Sequence, residues 1–578
     1  MSSLSAKLTG IFETAFKALE LPIEHARVAT STQSQDTQFQ CNGAMPCAKI
    51  AGKNPRAIAQ DIIDQIQKNA DHQKIFADLS IGGPGFINIT LNDAYIAAHL
   101  KTLCDDETLG VDATDKNETI VLDYGGPNIA KAMHVGHLRS SIIGDTLRRL
   151  YKFAGFITIG DVHMGDWGTP MGMILSELEL MKFDGEITME MLAEIYPKAS
   201  TACKEDESRM ALAREATKKL QEGDPEYTKT WRKFIDVSIA GMKKNFDSLG
   251  VHFDEWKGES DAHKHIENMV TDLKSKNLAI ESEGALIINV SKDDDKKEVP
   301  PLILLKSDGA VLYGTTDLAT IIDRIKTHNP TKIVYIVDQR QALHFEQVFR
   351  AAQKTNIAPE DKVELIHAGF GTMNGTDGKP FKTRAGGVMR LEDLISMAEE
   401  KALTRLNEAD LAKDMNKAER MNIARKVGIA ALKFADLQNN RIADYVFDID
   451  RMTSFEGKTG PYLLYQAVRI QSLLKKAGVE NAIKCDEYKL DDADRGLALL
   501  LAEFPTHFEN TLKNNTPHIL CDYVYKLSQE FSSFYGNCHI LSESDEAKKT
   551  SRLALCGQTH KTLVLILGLL GINIPERM

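Results

Sequence analysis

Two histidines, His134 and His137, flank Gly136 in the run PNIAKAMHVGHLRSSIIG from Pro127 to Gly144, and two lysines, Lys379 and Lys382, recur in GKPFKTR. Imidazoles beside a glycine suit a ligand that comes close to the backbone, and closely spaced lysines suit negative charge. The elements around HVGH sharpen this. ETIVLDYGG carries an apolar run, Ile120 to Leu122, that predicts a buried strand of a parallel sheet ended by Gly125, Gly126 and Pro127. Leu138, Ile142, Ile143, Leu147 and Leu150 then follow at helical spacing. HVGH therefore sits on the first turn of a helix, where free N–H groups and the positive end of the macrodipole favour an anion such as phosphate. Two other chemistries remain open for such a pair. One is a metal site, against which stands the absence of an accompanying carboxylate or cysteine cluster. The other is a pair of packed histidines without a ligand.

The lysine segment lies in HAGFGTMNGTDGKPFKTRAGGVMRLEDLI. Gly375 and the Asp377-Gly378 pair predict a turn, Lys379, Lys382 and Arg384 are neighbouring cations, and Gly386-Gly387 releases the chain into a helix. A solvated Gly-Lys turn is the plain alternative. With phosphates at the HVGH helix, such a loop would neutralise a departing polyphosphate.

Length and composition bound the rest. A chain of 578 residues, 43% hydrophobic and 26% charged, reads as an ordinary globular protein of about three or four domains. Eight cysteines without a C-x-x-C pair indicate neither a zinc ribbon nor a disulfide framework, so no zinc is expected. The N-terminus, with Leu4, Leu8, Ile11, Phe12, Ala15, Phe16 and Leu19, predicts an amphipathic helix rather than a signal peptide. The apolar run Leu563 to Ile572 is too short to span a bilayer, so a cytoplasmic location without membrane attachment is expected. A net charge of -12 argues against a general polyanion binder, yet Asn416 to Gly478 holds eleven Lys and Arg against six Asp and Glu, a candidate RNA-facing stretch.

Pattern shifts predict a multidomain α/β protein. Residues 1–115 form an appended α+β domain that ends in the alternating strand of Ile87, Ile89 and Leu91. Residues 116–395 alternate strands and helices as in a Rossmann-type, doubly wound parallel sheet, with VLDY, FITIGDV, ALIINV, LILLKS, KIVYIV and VELIHAGF as strands and a helical insertion at about 176–280. Residues 396–578 read as an all-helical end.

HVGH preceded by PN and followed by LRSSIIGD resembles the HIGH signature of class I aminoacyl-tRNA synthetases, in the form the arginyl enzymes carry. GKPFKTR resembles the KMSKS loop in the degenerate form of many bacterial arginyl enzymes: Lys379 and Lys382 match its lysines, while Pro380 and Phe381 replace Met and Ser. The DWGT step, Asp166 to Thr169, is a further feature of that family, though many relatives read Gln at Pro170. This context sets aside the metal and packed-histidine readings. The resemblance implies ATP-dependent ligation of L-arginine to tRNA-Arg, with Mg2+ on the phosphates. It implies catalysis by His134, His137, Lys379 and Lys382, and ATP binding by these four with Gly136 and His344. For arginine it points to Asp123 and Asn128, to Tyr313 and Asp317 four apart in LYGTTDLATIIDRI, and to Gln341. Asp317 would pair with the guanidinium, a planar donor fork best met by carboxylates; a helix-terminal charge is its plain alternative. For tRNA it points to Phe86 and Asn88 in the N-terminal domain, and to Tyr462, Tyr465, Arg469 and Met578 in a C-terminal anticodon-binding bundle of DALR type. It implies that arginine activation needs tRNA, and a monomer is expected. A lysyl enzyme, a noncatalytic tRNA-binding paralogue and an enzyme adenylating another small substrate are the rivals.

Overall fold

A computed structural model describes residues 3–31, 37–114, 117–307, 309–375, 377–379, 381, 389–479, 485 and 488–578. The chain divides into two compact units. The first joins Met1–Ala113 to Phe455–Gly568 and Asn573–Met578, and the second joins Thr114–Ser454 to Leu569–Ile572.

In the first unit, β1 (Val28–Thr30), β2 (Phe39–Cys41), β3 (Phe76–Gly82) and β4 (Phe86–Leu91) form an antiparallel sheet in the order β1-β2-β4-β3. Ile87, Ile89 and Leu91 point inward from β4, the period of two that their spacing predicts. The Leu4–Ala18 helix covers the sheet domain with Leu4, Leu8, Phe12 and Phe16. The helices Gly460–Lys476, Asp492–Ala502, Phe504–Asn514, His518–Asn537 and Glu546–Leu569 make up the bundle. Sheet domain and bundle close on each other: Ser5 Oγ donates to Glu503 Oε2 at 2.8 Å, and Arg495 Nε to Asp93 Oδ1 at 2.6 Å. The two chain ends thus share one body.

The second unit is built on β5 (Thr119–Asp123) and β6 (Ile157–Asp161). A hairpin of β7 (Ile280–Ser282) and β8 (Ala285–Ile288), followed by β9 (Leu302–Leu305), leads to β10 (Lys332–Tyr335) and β11 (Glu364–His367). The parallel sheet runs β11-β10-β5-β6. Ile120, Val121 and Leu122 are sealed, as befits a strand covered on both faces. ALIINV and LILLKS do not join this sheet. They form a separate antiparallel sheet, β7-β8-β9, because Glu283 and Gly284 adopt φ of 50° and 81° and so make the two-residue turn that returns the chain as a hairpin. A parallel neighbour would need a crossover of about a dozen residues.

Packed helices, Thr169–Leu180, Met189–Glu205, Glu207–Gln221 and Pro225–Leu249, fill the expected insertion. The division expected at 395 falls inside the Leu391–Glu408 helix, which buries Leu391, Leu394 and Ala398 and packs on the Lys417–Leu437 helix. The second unit therefore continues to Ser454. Within the Asn416–Gly478 stretch, Lys433 is buried with its Nζ on Gly571 O at 2.8 Å, and Arg441 donates to Gly369 O, so these cations serve the protein's own carbonyls.

Candidate active site

The strand end at Asp123 and the Gly136–Phe153 helix meet at a cleft of about 410 Å³. Gly125, at φ 86°, turns the chain out of β5, and Ser140 on the helix pins that turn: its Oγ accepts from Gly125 N at 2.8 Å and donates to Ile336 O at 2.6 Å. The loop before HVGH is braced as well. Ala130 adopts φ of 62°, uncommon for a residue with a Cβ, and its N–H is taken by the buried Ser238 Oγ at 2.9 Å.

His134 and His137 both line the cleft, with ring centroids 4.1 Å apart. Gly136 N donates to His134 Nδ1 at 3.0 Å, which leaves the His134 proton on Nε2. His137 Nδ1 is occupied by the His134 main chain, accepting its N–H at 3.1 Å, so Nε2 is its nitrogen left for a ligand. A Cβ on Gly136 would lie 2.7 Å from His134 Cε1, so a side chain there would displace the His134 ring. Burial pulls both imidazoles below their ordinary pKa, His137 to about 3 with the neighbouring His134 adding to the effect. Both rings are neutral near pH 7, offering a polar N–H at a helix N-terminus without competing positive charges of their own.

Asp123 also lines the cleft, but its Oδ2 already accepts from Arg324 at 2.7 Å, and the same guanidinium nitrogen lies 2.6 Å from Asp161 Oδ2. Burial pushes the Asp123 carboxyl up, against the pull of Arg324. Gln341 lines the cleft from the opposite side, with Asp338, Phe370, Met373 and Phe381. β12 (Met373–Asn374) pairs with β13 (Tyr445–Val446), which ties the start of the lysine segment to the fold. Its turn is closed by Gly375 N on Lys379 O at 2.8 Å and Lys379 N on Asp377 Oδ1 at 3.1 Å. Lys379 is exposed and lies outside the cleft lining. Lys382, like Pro380, Arg384, Gly386 and Gly387, lies outside the described residues.

Asn128, Tyr313, Asp317 and His344 are not among the cleft-lining residues. Asn128 is exposed and crowds Gly165, where a Cβ would lie 2.1 Å from its Oδ1. Tyr313 opens the Tyr313–His328 helix and is 71% exposed. One turn on, Asp317 meets His344: Oδ2 and Nε2 are 2.5 Å apart, and this hydrogen bond raises the His344 pKa. His344, grouped with ATP by resemblance, is thus held on the carboxylate grouped with arginine. In the DWGT step, Asp166 is buried and accepts from Ser260 N at 3.0 Å and from Ser260 Oγ, while Trp231 Nε1 donates to its carbonyl at 2.8 Å. Pro170 falls in the first turn of the next helix, where its missing N–H has no partner to lose.

In the first unit, Tyr462 sets its ring edge-on to Tyr525 at 5.8 Å, Tyr465 is exposed, and Arg469 lies 4.5 Å over the Tyr535 ring. Asn88 Oδ1 accepts from Gln40 at 2.8 Å; Phe86 and Met578 are half-buried. Sequence reasoning missed Ser140, Arg324 and Asp338. Ser140 carried a signal, a polar residue on the buried face of the HVGH helix.

Three family models match the chain: tRNA synthetases class I (R), catalytic domain, over residues 99–449; the DALR anticodon binding domain over 463–578; and the arginyl tRNA synthetase N terminal domain over 3–91. The arginine–tRNA ligase of Maricaulis maris is 47% identical over 595 aligned positions, covering 100% of both chains. That of Francisella tularensis subsp. novicida is 45% identical and covers 97% of this chain and 98% of its own. Among solved structures, arginyl-tRNA synthetase from Plasmodium falciparum superposes over 100% of both chains with a TM-score of 0.86 at 28% identity. The Thermus thermophilus arginyl-tRNA synthetase, at 21% identity and a TM-score of 0.81, shares the fold over 100% of both chains. The chain belongs to the arginyl-tRNA synthetase family of class I tRNA synthetases.

Proposed function

We propose that the chain ligates L-arginine to tRNA-Arg, consuming ATP, through an arginyl adenylate formed at the N-terminus of the Gly136–Phe153 helix. The observation that carries this reading is the pair of neutral imidazoles lining the cleft at that helix end. ATP places its phosphates against His134, Gly136 and His137. The arginine carboxylate attacks the α-phosphorus in line; the new bond joins a carboxylate oxygen to phosphorus, and the bond to the bridging oxygen breaks as pyrophosphate leaves. Lys379 and Lys382 meet the growing charge on pyrophosphate. A terminal ribose hydroxyl of tRNA then takes the arginyl group and AMP departs. Magnesium, when bound, screens the phosphates. Asp123 and Asp338, the cleft carboxylates, each already face a guanidinium, Arg324 and Arg340.

Asp317 receives the substrate guanidinium beside His344, with Tyr313 as a wall. Asp123, Asn128 and Gln341 hold the amino-acid end. Phe86 and Asn88, and Tyr462, Tyr465, Arg469 and Met578, are the tRNA contacts of the sheet domain and the bundle. We take the chain to work as a cytoplasmic monomer; among the described residues no helix is long and apolar enough to cross a membrane.

Pyrophosphate exchange with each of the twenty amino acids, with and without tRNA-Arg, tests the reading. Exchange confined to arginine and dependent on tRNA is expected, and exchange with lysine overturns it. His137→Ala should lower adenylation about 100-fold or more while tRNA affinity stays within about twofold; equal loss of both would show a collapsed site instead.

A further inference from the structure

Arg324 is the largest fully buried side chain of the protein's described residues, 1% exposed, and it sits between two carboxylates. Asp123 and Asp161 are register partners at the ends of β5 and β6, so their side chains would repel across neighbouring strands. Arg324 Nη2 lies 2.7 Å from Asp123 Oδ2 and 2.6 Å from Asp161 Oδ2, and Nε lies 3.2 Å from Asp161 Oδ2. The guanidinium also lies over the Tyr335 ring at 5.3 Å. One guanidinium against two carboxylates leaves the trio with one net negative charge in a largely buried place, which is costly unless a further cation arrives. Two of its atoms, Arg324 Nη1 and Asp161 Oδ1, are buried without a partner. Asp161 is closed off at 2% side-chain exposure, whereas Asp123 keeps 11% and opens on the cleft.

Arg324 shares its helix with Tyr313 and Asp317 and lies seven positions after Asp317. That spacing is two turns, about 10.5 Å along the axis, and places both on one face. A single rigid helix thus presents the carboxylate for a guanidinium at one end and, two turns on, the cation that orients Asp123.

We propose that Arg324 is a positioning residue: it holds Asp123 by one oxygen so that the other receives the α-ammonium of arginine, and its helix thereby sets the distance between the two ends of the amino acid. This rests on the assignment of the cleft to arginine. The charge deficit of the trio is filled by the substrate's own ammonium, and a ligand lacking that group gains nothing from it.

The experiment compares arginine with 5-guanidinopentanoate, the same molecule without its α-amino group, as a competitive inhibitor of pyrophosphate exchange in the full chain with tRNA. Arg324→Lys keeps the charge and loses the forked geometry. It should raise the KM for arginine about tenfold or more, while the inhibition constant of 5-guanidinopentanoate and the KM for ATP stay within about twofold. Asp161→Asn cancels the net charge while keeping the Arg324 and Asp123 side chains and an oxygen for the guanidinium to meet, and should likewise weaken arginine selectively; it serves alone if the lysine variant does not fold. Equal weakening of both ligands, or weakening of neither, overturns the role of Arg324. Absence of arginine-dependent exchange in the unaltered protein would instead overturn the assignment of the cleft.

Discussion

Asp123 and Asp317, the carboxylates assigned to the two ends of the bound amino acid, are countered in opposite ways. Asp123 faces a guanidinium that never loses its charge, in a largely buried trio with Asp161. Asp317 faces His344, whose pKa is raised by that hydrogen bond; both side chains remain partly open to water. The cation at the first pole keeps its charge at every physiological pH. On the proposed assignment, a protonated His344 and the substrate guanidinium would claim the same carboxylate at the other. The first arrangement would then serve both fold and binding, and the second discrimination that pH can switch.

Three perturbations separate them. The largest effect is expected for Arg324→Met, which leaves two buried carboxylates uncompensated and should lower local stability by about 3 to 5 kcal/mol. Hydrogen exchange of the β5 and β6 amides reads it. Burial already raises the Asp123 carboxyl; stripped of its cation it binds protons more readily when folded than when unfolded, so the loss should shrink as pH falls. Unchanged protection would remove the first half of the contrast.

Next, Asp317→Asn should cut kcat/KM for arginine about 100- to 1000-fold, the size expected when a desolvated guanidinium loses its carboxylate. The same hydrogen-exchange measurement should be unaltered. A parallel loss of protection would place Asp317 with Asp123 as a fold-bearing group.

The smallest effect is a pH dependence. His344 protonates above its ordinary value of about 6.5, so the KM for arginine should rise about threefold to tenfold as pH falls from about 8 to 6, while the KM for ATP stays level. His344→Gln should flatten the arginine profile. Stability moves the other way: a histidine with a raised folded pKa contributes stability that is complete below its unfolded value and is lost as pH rises through the folded one. A profile that keeps its slope in His344→Gln assigns the titration elsewhere.

The contrast also marks what the sequence could show. HVGH, its strand and its helix are local, and Ile120 to Leu122 and the apolar positions Leu138, Ile142, Ile143, Leu147 and Leu150 are all buried as their pattern predicts, although the helix also buries the polar residues between them. Arg324 is different. In DLATIIDRI an arginine at helical spacing reads as a solvated charge, and only the return of its helix over the ends of β5 and β6 seats it between two aspartates. The Asp317–His344 pair joins residues 27 apart on separate helices, so both were found, but under different ligands. ALIINV shows the limit of apolar runs: hydrophobicity cannot distinguish a parallel from an antiparallel neighbour, and the deciding signal was the Glu283-Gly284 turn beside it.

The sharing of one body by the two chain ends sets how late in synthesis the first unit can close. The sheet domain docks onto helices that emerge only after the main part of the second unit, Thr114 to Ser454, has been translated. At about 5 to 20 residues per second, that is a delay of roughly 20 to 70 s, during which the surface destined for Glu503 and Arg495 is bare. Throughout that interval the nascent N-terminal segment carries its docking face without the helices that bear Glu503 and Arg495.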